Sequence, residues 1–277
     1  MIKKLFCLAL ILICVCLCTE SIAELQVYFI DVGQGDAIVV SCDGKYVLID
    51  AGPVNAGIFV NNFLKEHLNI SKLDGVIATH NHDDHIGGMP TALNGLTVDK
   101  VFTSPTLSMF YWFDSIQPVL RQETLEVTTP EVGDTMKLGD ALLTFLNSDN
   151  PILSINNRST VVRVDYGNTS FLLVGDAEGD EEQQLINSGV DLSADFLKIG
   201  HHGGLGSTGL DFLNAISPKC AIISVGANND HGHPAQETLT LLENQHIEVY
   251  RTDLHGTITC ISNGDTITIE IMKALVK

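Results

Sequence analysis

The sequence predicts an α/β protein in which two mixed β-sheets pack face to face with helices on both outer sides, an αββα sandwich. Each half of the 277-residue chain holds a run of short strands followed by alternating helices and strands. No linker, low-complexity segment or block of charge separates the two halves. Several apolar strands end in histidine or aspartate. We therefore expect one domain with a chemical site where the strand ends meet.

The first 23 residues have the parts of a secretory signal peptide. Lys3 and Lys4 are basic, residues 5–18 are apolar throughout, and residues 21–23 offer small side chains at the cleavage positions. We expect residues 1–23 to be removed, so that the mature protein is secreted as one domain over residues 24–277. An uncleaved membrane anchor is the alternative, but the apolar run is shorter than the roughly 20 residues that span a bilayer.

The predicted elements of the first half follow from its periodicity. Short runs of alternating or β-branched residues predict a meander of three strands at 25–31, 37–42 and 46–50. Apolar residues at helical spacing predict a helix over 58–68, and an apolar run predicts a buried strand over 73–78. A strand at 101–103 and a helix over 113–125, interrupted at Pro118, complete this half.

The second half repeats this order. Strands are predicted at 141–146, 160–166 and 170–174, followed by a helix at 178–187 and a strand at 195–199. After an apolar segment at 210–216, a strand at 221–225 and a helix at 236–244 follow. The last predicted strands are 248–251, 256–260 and 266–270.

Composition excludes some function classes. The formal net charge of −19 argues against a surface that binds nucleic acid through its phosphates. Four of the seven cysteines lie in residues 1–23, which leaves Cys42, Cys220 and Cys260. These three can form one disulfide and leave a third thiol, or all three can be buried thiols. The sequence does not determine the oligomeric state.

The stretch after the strand 73–78 carries three of the ten histidines within six residues. In an extended segment His80 and His82 point to the same side, so both can bind one ion. Asp84 and His85 follow at the start of the next turn, where they can bind a second ion. Imidazole and carboxylate are the ligands that zinc and similar divalent cations accept. The motif therefore predicts two divalent ions, with zinc favoured over manganese.

Two further strand ends supply candidate ligands. Asp176 closes an apolar strand, and its two carboxylate oxygens can bridge two ions. His201 and His202 close another strand, and alternation along a strand allows only one of them to face a given ion. We favour His201 as the ligand and expect His202 to support the ligands or face the substrate.

These residues resemble the His-x-His-x-Asp-His motif of the metallo-β-lactamase superfamily. Over nearly the whole mature chain the sequence is similar to the metallo-β-lactamase domain of ComEC-type competence proteins. Eight sequence blocks carry this resemblance. They are the motif containing His80 and seven others, at 29–37, 48–52, 157–162, 175–178, 200–203, 232–234 and 251–253.

The resemblance implies a secreted, metal-dependent phosphodiesterase or nuclease. It implies that Asp50 supports a ligand, although a purely structural aspartate is an equal alternative, and it places Asp31 near ligands or substrate. Asn157 and Ser159 stand where true β-lactamases place a histidine. The implied ligand sets, which share Asp176, are His80 with His82, and Asp84 with His85 and His201.

Two residues have open catalytic roles. Asp83 can orient the nucleophile or cap the following helix. His233 can protonate the leaving group, bind phosphate, or simply lie in a turn.

We expect a phosphodiester or small ester substrate. Long nucleic acid is disfavoured because the only basic residues near the motif blocks are Arg158, Lys198 and Arg251. A lactone or amide hydrolase and a non-catalytic, metal-stabilised binding protein are the alternatives.

Overall fold

The computed structural model describes residues 24–104, 125–146 and 152–272. The predicted signal peptide and nearly all of the predicted helix 113–125 lie outside these residues. The strands of the first half are β1 (Leu25–Phe29), β2 (Ile38–Cys42), β3 (Lys45–Ile49), β4 (Lys72–Leu73), β5 (Gly75–Ala78), β6 (Thr97–Val98), β7 (Lys100–Thr103) and β8 (Glu126–Thr128). Those of the second half are β9 (Thr135–Leu138), β10 (Ala141–Phe145), β11 (Val162–Tyr166), β12 (Thr169–Leu173), β13 (Phe196–Lys198), β14 (Cys220–Ile223), β15 (Glu248–Arg251), β16 (Thr257–Ser262) and β17 (Ile267–Met272).

The helices alternate with these strands. They are α1 (Gly57–Asn62), continued by a π-helical turn at Phe63–His67, α2 (Asp83–Ile86), α3 (Met89–Ala92), α4 (Gly179–Ser188), α5 (Leu210–Ile216), α6 (Gln236–Asn244) and α7 (Thr252–His255). Short 3-10 turns occur at Val54–Ala56, Asn156–Arg158 and Gly200–Gly203.

The strands form two large sheets. The first has the order β17-β16-β1-β2-β3-β5-β7-β8, and the second has the order β15-β14-β13-β12-β11-β10-β9. Both sheets are mixed, because β3, β5, β7 and β8 run parallel and so do β12 to β15, whereas the other neighbours are antiparallel. The pair β4-β6 forms a small separate sheet.

Three apolar clusters divide the molecule into layers. The central cluster lies between the sheets and includes Phe29, Phe145 and Phe171. A second cluster joins the outer face of the first sheet to α1 and α3, and a third joins the second sheet to α4, α5 and α6. This arrangement confirms the predicted αββα sandwich of two mixed sheets flanked by helices.

Sequence prediction missed the weaker elements. The strands β6, β8 and β9 were not predicted, because each is short and polar residues interrupt its apolar pattern. The predicted strand 73–78 is divided, with β4 pairing to β6 and β5 entering the first sheet. Within the described residues, the remaining predicted strands and helices are present with small shifts at their ends.

Cys42, Cys220 and Cys260 are all buried and free. They pack in the central apolar cluster, so the structure favours three buried thiols over a disulfide. Burial, together with the nearby Glu248, raises the pKa of the Cys220 thiol to about 12. Among the residues described, we find no helix with the length and hydrophobicity of a membrane span.

The parallel strands bring the predicted site residues to one edge. The strands β3 and β5 end just before Asp50 and His80, and β12 and β13 end shortly before Asp176 and His202. Carboxyl ends of neighbouring parallel strands meet at the same edge of a sheet, where ligand sites of α/β proteins typically form.

Candidate metal centre

Asp176 lies at the centre of the site and is 2% exposed. Its Oδ1 atom is 3.2 Å from Nε2 of His85 and 3.5 Å from Nε2 of His202. Its Oδ2 atom faces the other way, 3.6 Å from Nε2 of His80. The backbone N–H of Asp176 donates to Oγ of Ser159 at 3.1 Å, which fixes the turn that carries the carboxylate. Each carboxylate oxygen therefore faces a different group of histidines.

The first group consists of His80 and His82. Nε2 of His80 is 3.0 Å from Nδ1 of His82, while Nδ1 of His80 is 3.1 Å from Oγ1 of Thr79 and 3.3 Å from Oγ of Ser159. Because Nδ1 of His80 has these two hydroxyl partners, its Nε2 atom is left to face Asp176. His80 is fully buried and His82 is half-buried.

His85 begins the second group and is oriented by Asp50. Nδ1 of His85 is 2.7 Å from Oδ2 of Asp50, whose carboxylate also accepts hydrogen bonds from the N–H (2.9 Å) and Oγ1 (2.6 Å) of Thr79. A carboxylate in this position fixes the imidazole tautomer and makes Nε2 a stronger metal ligand. Asp50 thus contacts His85 directly, and its role in supporting a metal ligand stays a prediction.

His202, and not His201, completes the second group. Nε2 of His202 is 3.2 Å from Oδ2 of Asp84 and 3.4 Å from Nε2 of His85, and its Nδ1 is 2.9 Å from the carbonyl of Ser224. The prediction that His201 is the ligand is therefore corrected in favour of His202. The reason is that β13 ends at Lys198, and both histidines have left-handed backbone angles (φ 46° and 53°), so strand alternation no longer decides their directions.

His201 instead lies at the rim of the site. Its Nδ1 atom is 2.9 Å from Oε1 of Glu178, and its ring centroid is 5.1 Å from that of His233.

The donor atoms of the second group are arranged to bind a cation rather than to hydrogen-bond to one another. Asp50 and the Ser224 carbonyl each face an Nδ1 atom, so the Nε2 lone pairs of His85 and His202 point into the same space. Two carboxylates, Asp84 and Asp176, border that space, and Oδ1 of Asp176 is buried without a hydrogen-bond partner. When these imidazoles are uncharged, the atoms form a cluster of acceptors without donors, which is the arrangement that binds a metal ion.

The pKa shifts describe the same electrostatics. Burial opposes charge on His202, but Asp176, Asp36 and Asp84 outweigh burial and raise its pKa to about 9. Burial likewise opposes ionisation of Asp176, yet His85 and His202 hold its pKa well below the ordinary value. The carboxylates therefore favour positive charge in this space, which protons on the imidazoles supply without an ion and a divalent cation would supply by displacing them.

Asn157 and Ser159 have different tasks. Oδ1 of Asn157 accepts hydrogen bonds from the N–H groups of Glu178 (2.9 Å) and Glu181 (3.2 Å), so it caps the start of α4. Ser159 touches both His80 and the Asp176 backbone, as described above. Ser159 therefore supports the site directly, whereas Asn157 acts through the helix that follows Asp176.

The structure does not bring every predicted residue to the donor groups. Asp83 is exposed and is the first residue of α2. The N-cap residue of this helix is His82, so the prediction that Asp83 caps it is wrong. Asp31 accepts a hydrogen bond from the N–H of Gly33 at 3.2 Å and lines a surface cavity beside Ile58.

His233 is half-buried, with its ring 6.2 Å from that of His202. Burial, followed by His201 and His202, lowers its pKa to about 4. His233 is therefore uncharged at neutral pH, which favours hydrogen bonding over proton donation.

Two buried residues beside the site were not predicted as part of it. Lys198 and Asp36 form an ion pair at 3.0 Å, next to His202. A lysine in the otherwise apolar run of β13 was the available signal in the sequence.

With this geometry in place, comparison with known proteins identifies the family. Residues 30–227 match the family model of the metallo-β-lactamase superfamily. This chain belongs to the metallo-β-lactamase superfamily. Proteins of this superfamily are in general metal-dependent hydrolases, and the donor groups around Asp176 agree with that chemistry.

Curated relatives of this chain include competence proteins. It is 34% identical over 275 residues to ComE operon protein 3 of Bacillus subtilis, covering 91% of this chain and 34% of that protein. It is 28% identical to the competence protein ComA of Neisseria gonorrhoeae, covering 82% of this chain and 31% of that protein. The chain thus spans about a third of the length of these relatives, and the predicted resemblance to competence proteins is confirmed.

Solved metallo-β-lactamase structures share the fold at low identity. The protein YhfI of Bacillus subtilis superposes with a TM-score of 0.56 at 14% identity, covering 87% of this chain and 100% of that one. A diphosphatase of the PhnP family superposes with a TM-score of 0.51 at 17% identity, covering 86% of this chain and 98% of that one.

Replacing Asp50 with asparagine tests its supporting role at this site. The amide is isosteric but carries no negative charge, so His85 becomes a weaker ligand. We expect the affinity for metal to fall about 10- to 100-fold. Competition with a chromogenic chelator measures this affinity. An unchanged affinity would assign Asp50 a structural role alone.

Proposed function

We propose that this protein is a secreted, binuclear, metal-dependent phosphodiesterase that acts on small phosphodiesters. The observation that carries the proposal is the position of Asp176, whose two oxygens face separate groups of donors. His80, His82 and Asp176 would hold one ion, and Asp84, His85, His202 and Asp176 would hold the other. A carboxylate that serves both ions fixes them close together, as in the two-metal sites of phosphatases and nucleases.

The residues present suit phosphate ester hydrolysis. Bound divalent ions supply a nucleophile at neutral pH by lowering the pKa of water, and they neutralise charge on the phosphate. The first group together with Asp176 offers three protein donors, the number typical of catalytic zinc sites. His233 stands at the rim of the site, where an uncharged imidazole can donate one hydrogen bond to a phosphate oxygen. One solved protein of this fold is a diphosphatase, so the fold accommodates reactions at phosphorus.

The charges around the site favour a short substrate. Lys198 is buried against Asp36, and the guanidinium of Arg251 is 2.6 Å from the carboxylate of Asp253. Of the three basic residues near the motif blocks, this leaves Arg158 as the candidate for a phosphate contact. A long polyanion needs several such contacts along a groove. We therefore place small phosphodiesters ahead of nucleic acid as substrates.

A panel of substrates tests the proposal. The chain beginning at Glu24, supplied with zinc or manganese, is assayed with bis-p-nitrophenyl phosphate, a dinucleotide, a single-stranded DNA of about 20 nucleotides, a choline phosphate ester and a lactone. We expect kcat/KM for the dinucleotide and the longer DNA to agree within about tenfold, and to change little between 50 and 200 mM salt. The Asp176→Ala variant, prepared in parallel, controls for contaminating nuclease.

Three outcomes would overturn this choice. A hundredfold rise in kcat/KM with DNA length, lost between 50 and 200 mM salt, would show an extended nucleic-acid groove. Turnover of the lactone without any phosphodiester would indicate the ester hydrolase. Full metal binding without turnover of any substrate would favour the binding protein.

A further inference from the structure

Lys198 is the last residue of β13 and its side chain is fully buried. Its ammonium group lies 3.0 Å from Oδ2 of Asp36 and donates to the carbonyl of Ile199 at 2.8 Å. Asp36 is 1% exposed. Removing two charges from water is costly, and a buried ion pair is often no more stabilising than apolar residues of the same size. The pair is therefore better explained by what it contacts than by stability.

Asp36 contacts two of the three residues that belong to the second group alone, His202 and Asp84. Its Oδ1 atom lies 3.5 Å from Nδ1 of His202, and its backbone N–H donates to the carbonyl of Asp84 at 3.1 Å. The preceding Gly35 has φ +133°, and a Cβ atom there would lie 2.1 Å from the Asp84 carbonyl oxygen. The backbone before Asp36 thus packs closely against Asp84, so the position of Asp36 is fixed relative to Asp84 and His202.

We propose that the Lys198–Asp36 pair is a positioning device for the second metal ion, acting through His202 and Asp84. The ionised carboxylate faces the Nδ1–H side of the His202 imidazole, beside the Ser224 carbonyl, and thereby strengthens Nε2 as a ligand. Lys198 holds the carboxylate in this orientation and balances its charge. The inference rests on the proposed binuclear centre and adds that the two ions depend unequally on this pair.

A third group of donors, Asp36, Asp50 and His85, lies close enough to suggest another metal site. The Lys198 ammonium already supplies a positive charge to Asp36 there. We therefore infer that the Lys198 ammonium group supplies the positive charge of this group and that no third metal ion binds there.

The test removes both charges together, so that neither is left buried and unpaired. The double variant Asp36→Asn/Lys198→Met is titrated with Co²⁺, and the two binding steps are followed by the visible absorption of the bound ion. We expect the second step to weaken about 10- to 100-fold while the first stays within about threefold. Lys198→Arg, which keeps the charge, is expected to retain more of the second step than the double variant.

A control lysine–aspartate pair, more exposed than the first, lies at the opposite end of the same strand. Asp195 and Lys219, which precede β13 and β14, form an ion pair at 2.7 Å. The variant Asp195→Asn/Lys219→Met also removes a lysine–aspartate pair, but far from the ligands, and is expected to leave both binding steps unchanged.

The outcomes separate this inference from the proposed function. If the wild-type chain binds no Co²⁺, the binuclear centre itself is wrong. If the wild-type chain binds two ions and the double variant binds both equally well, the positioning role is wrong. Should the double variant fail to fold, the isosteric single variant Asp36→Asn gives the same readout, and an unchanged second step there would also contradict the inference.

Discussion

Replacing Asp176 with alanine is expected to abolish hydrolysis, with a loss larger than about 10⁴-fold. The reason is that one carboxylate serves both groups of donors, so its removal weakens both ions at once. His233→Ala provides the comparison, because a single acid–base or hydrogen-bonding group contributes about 10² to 10⁴ in rate. Steady-state kinetics of both variants on bis-p-nitrophenyl phosphate measures the difference.

Thermal unfolding separates the two Asp176 roles, ligand and structural residue. An ion that binds only the folded state raises its stability. We expect added zinc or manganese to raise the Tm of the wild-type chain and of His233→Ala, but not that of Asp176→Ala. If Asp176→Ala retained its ions while His233→Ala lost more activity, the roles assigned to these residues would be reversed.

The adjacent histidines His201 and His202 give the second large effect. His202→Ala is expected to lose one ion and at least about 100-fold in activity, because His202 supplies a buried donor atom beside Asp84 and Asp176. His201→Ala is expected to keep both ions and to stay within about tenfold of wild type, since its contacts are with Glu178 and His233.

These two variants differ by one position in the chain and are measured in the same way, by metal content and by kcat/KM. A His201→Ala variant that lost an ion, with His202→Ala unaffected, would restore the ligand set implied by the family resemblance alone.

The sequence was sufficient to predict the layers of the fold and to select most of the residues that the structure brings together around Asp176. Strands such as β5 and β12 are apolar runs that end in a turn, and the polar residues that follow them are few and chemically distinct. His80, His82, Asp84, His85 and Asp176 could be selected for that reason. The weak edge strands β8 and β9 lack such a pattern and were found only in the structure.

The choice between His201 and His202 could not be made from the sequence. Alternation applies only while the backbone remains extended, and here the strand ends three residues before His201. Both histidines then adopt positive φ angles, which are uncommon for residues other than glycine. The hydrogen bond between His202 and the Ser224 carbonyl joins residues 22 apart in sequence, and no local pattern predicts it.

Long-range contacts explain the other differences. Asn157 caps a helix that begins 22 residues later, so its role depends on tertiary structure. Lys198 and Asp36 are 162 positions apart and meet only because the ends of the two sheets converge at the site. Lys198, one of the three basic residues near the motif blocks, is buried.

The metal content of the purified chain beginning at Glu24 tests the central claim most directly. Two groups of donors share Asp176, so elemental analysis after gentle dialysis against metal-free buffer is expected to give close to two divalent ions per chain. A value well below one ion per chain, not restored by adding zinc or manganese, would contradict the binuclear centre.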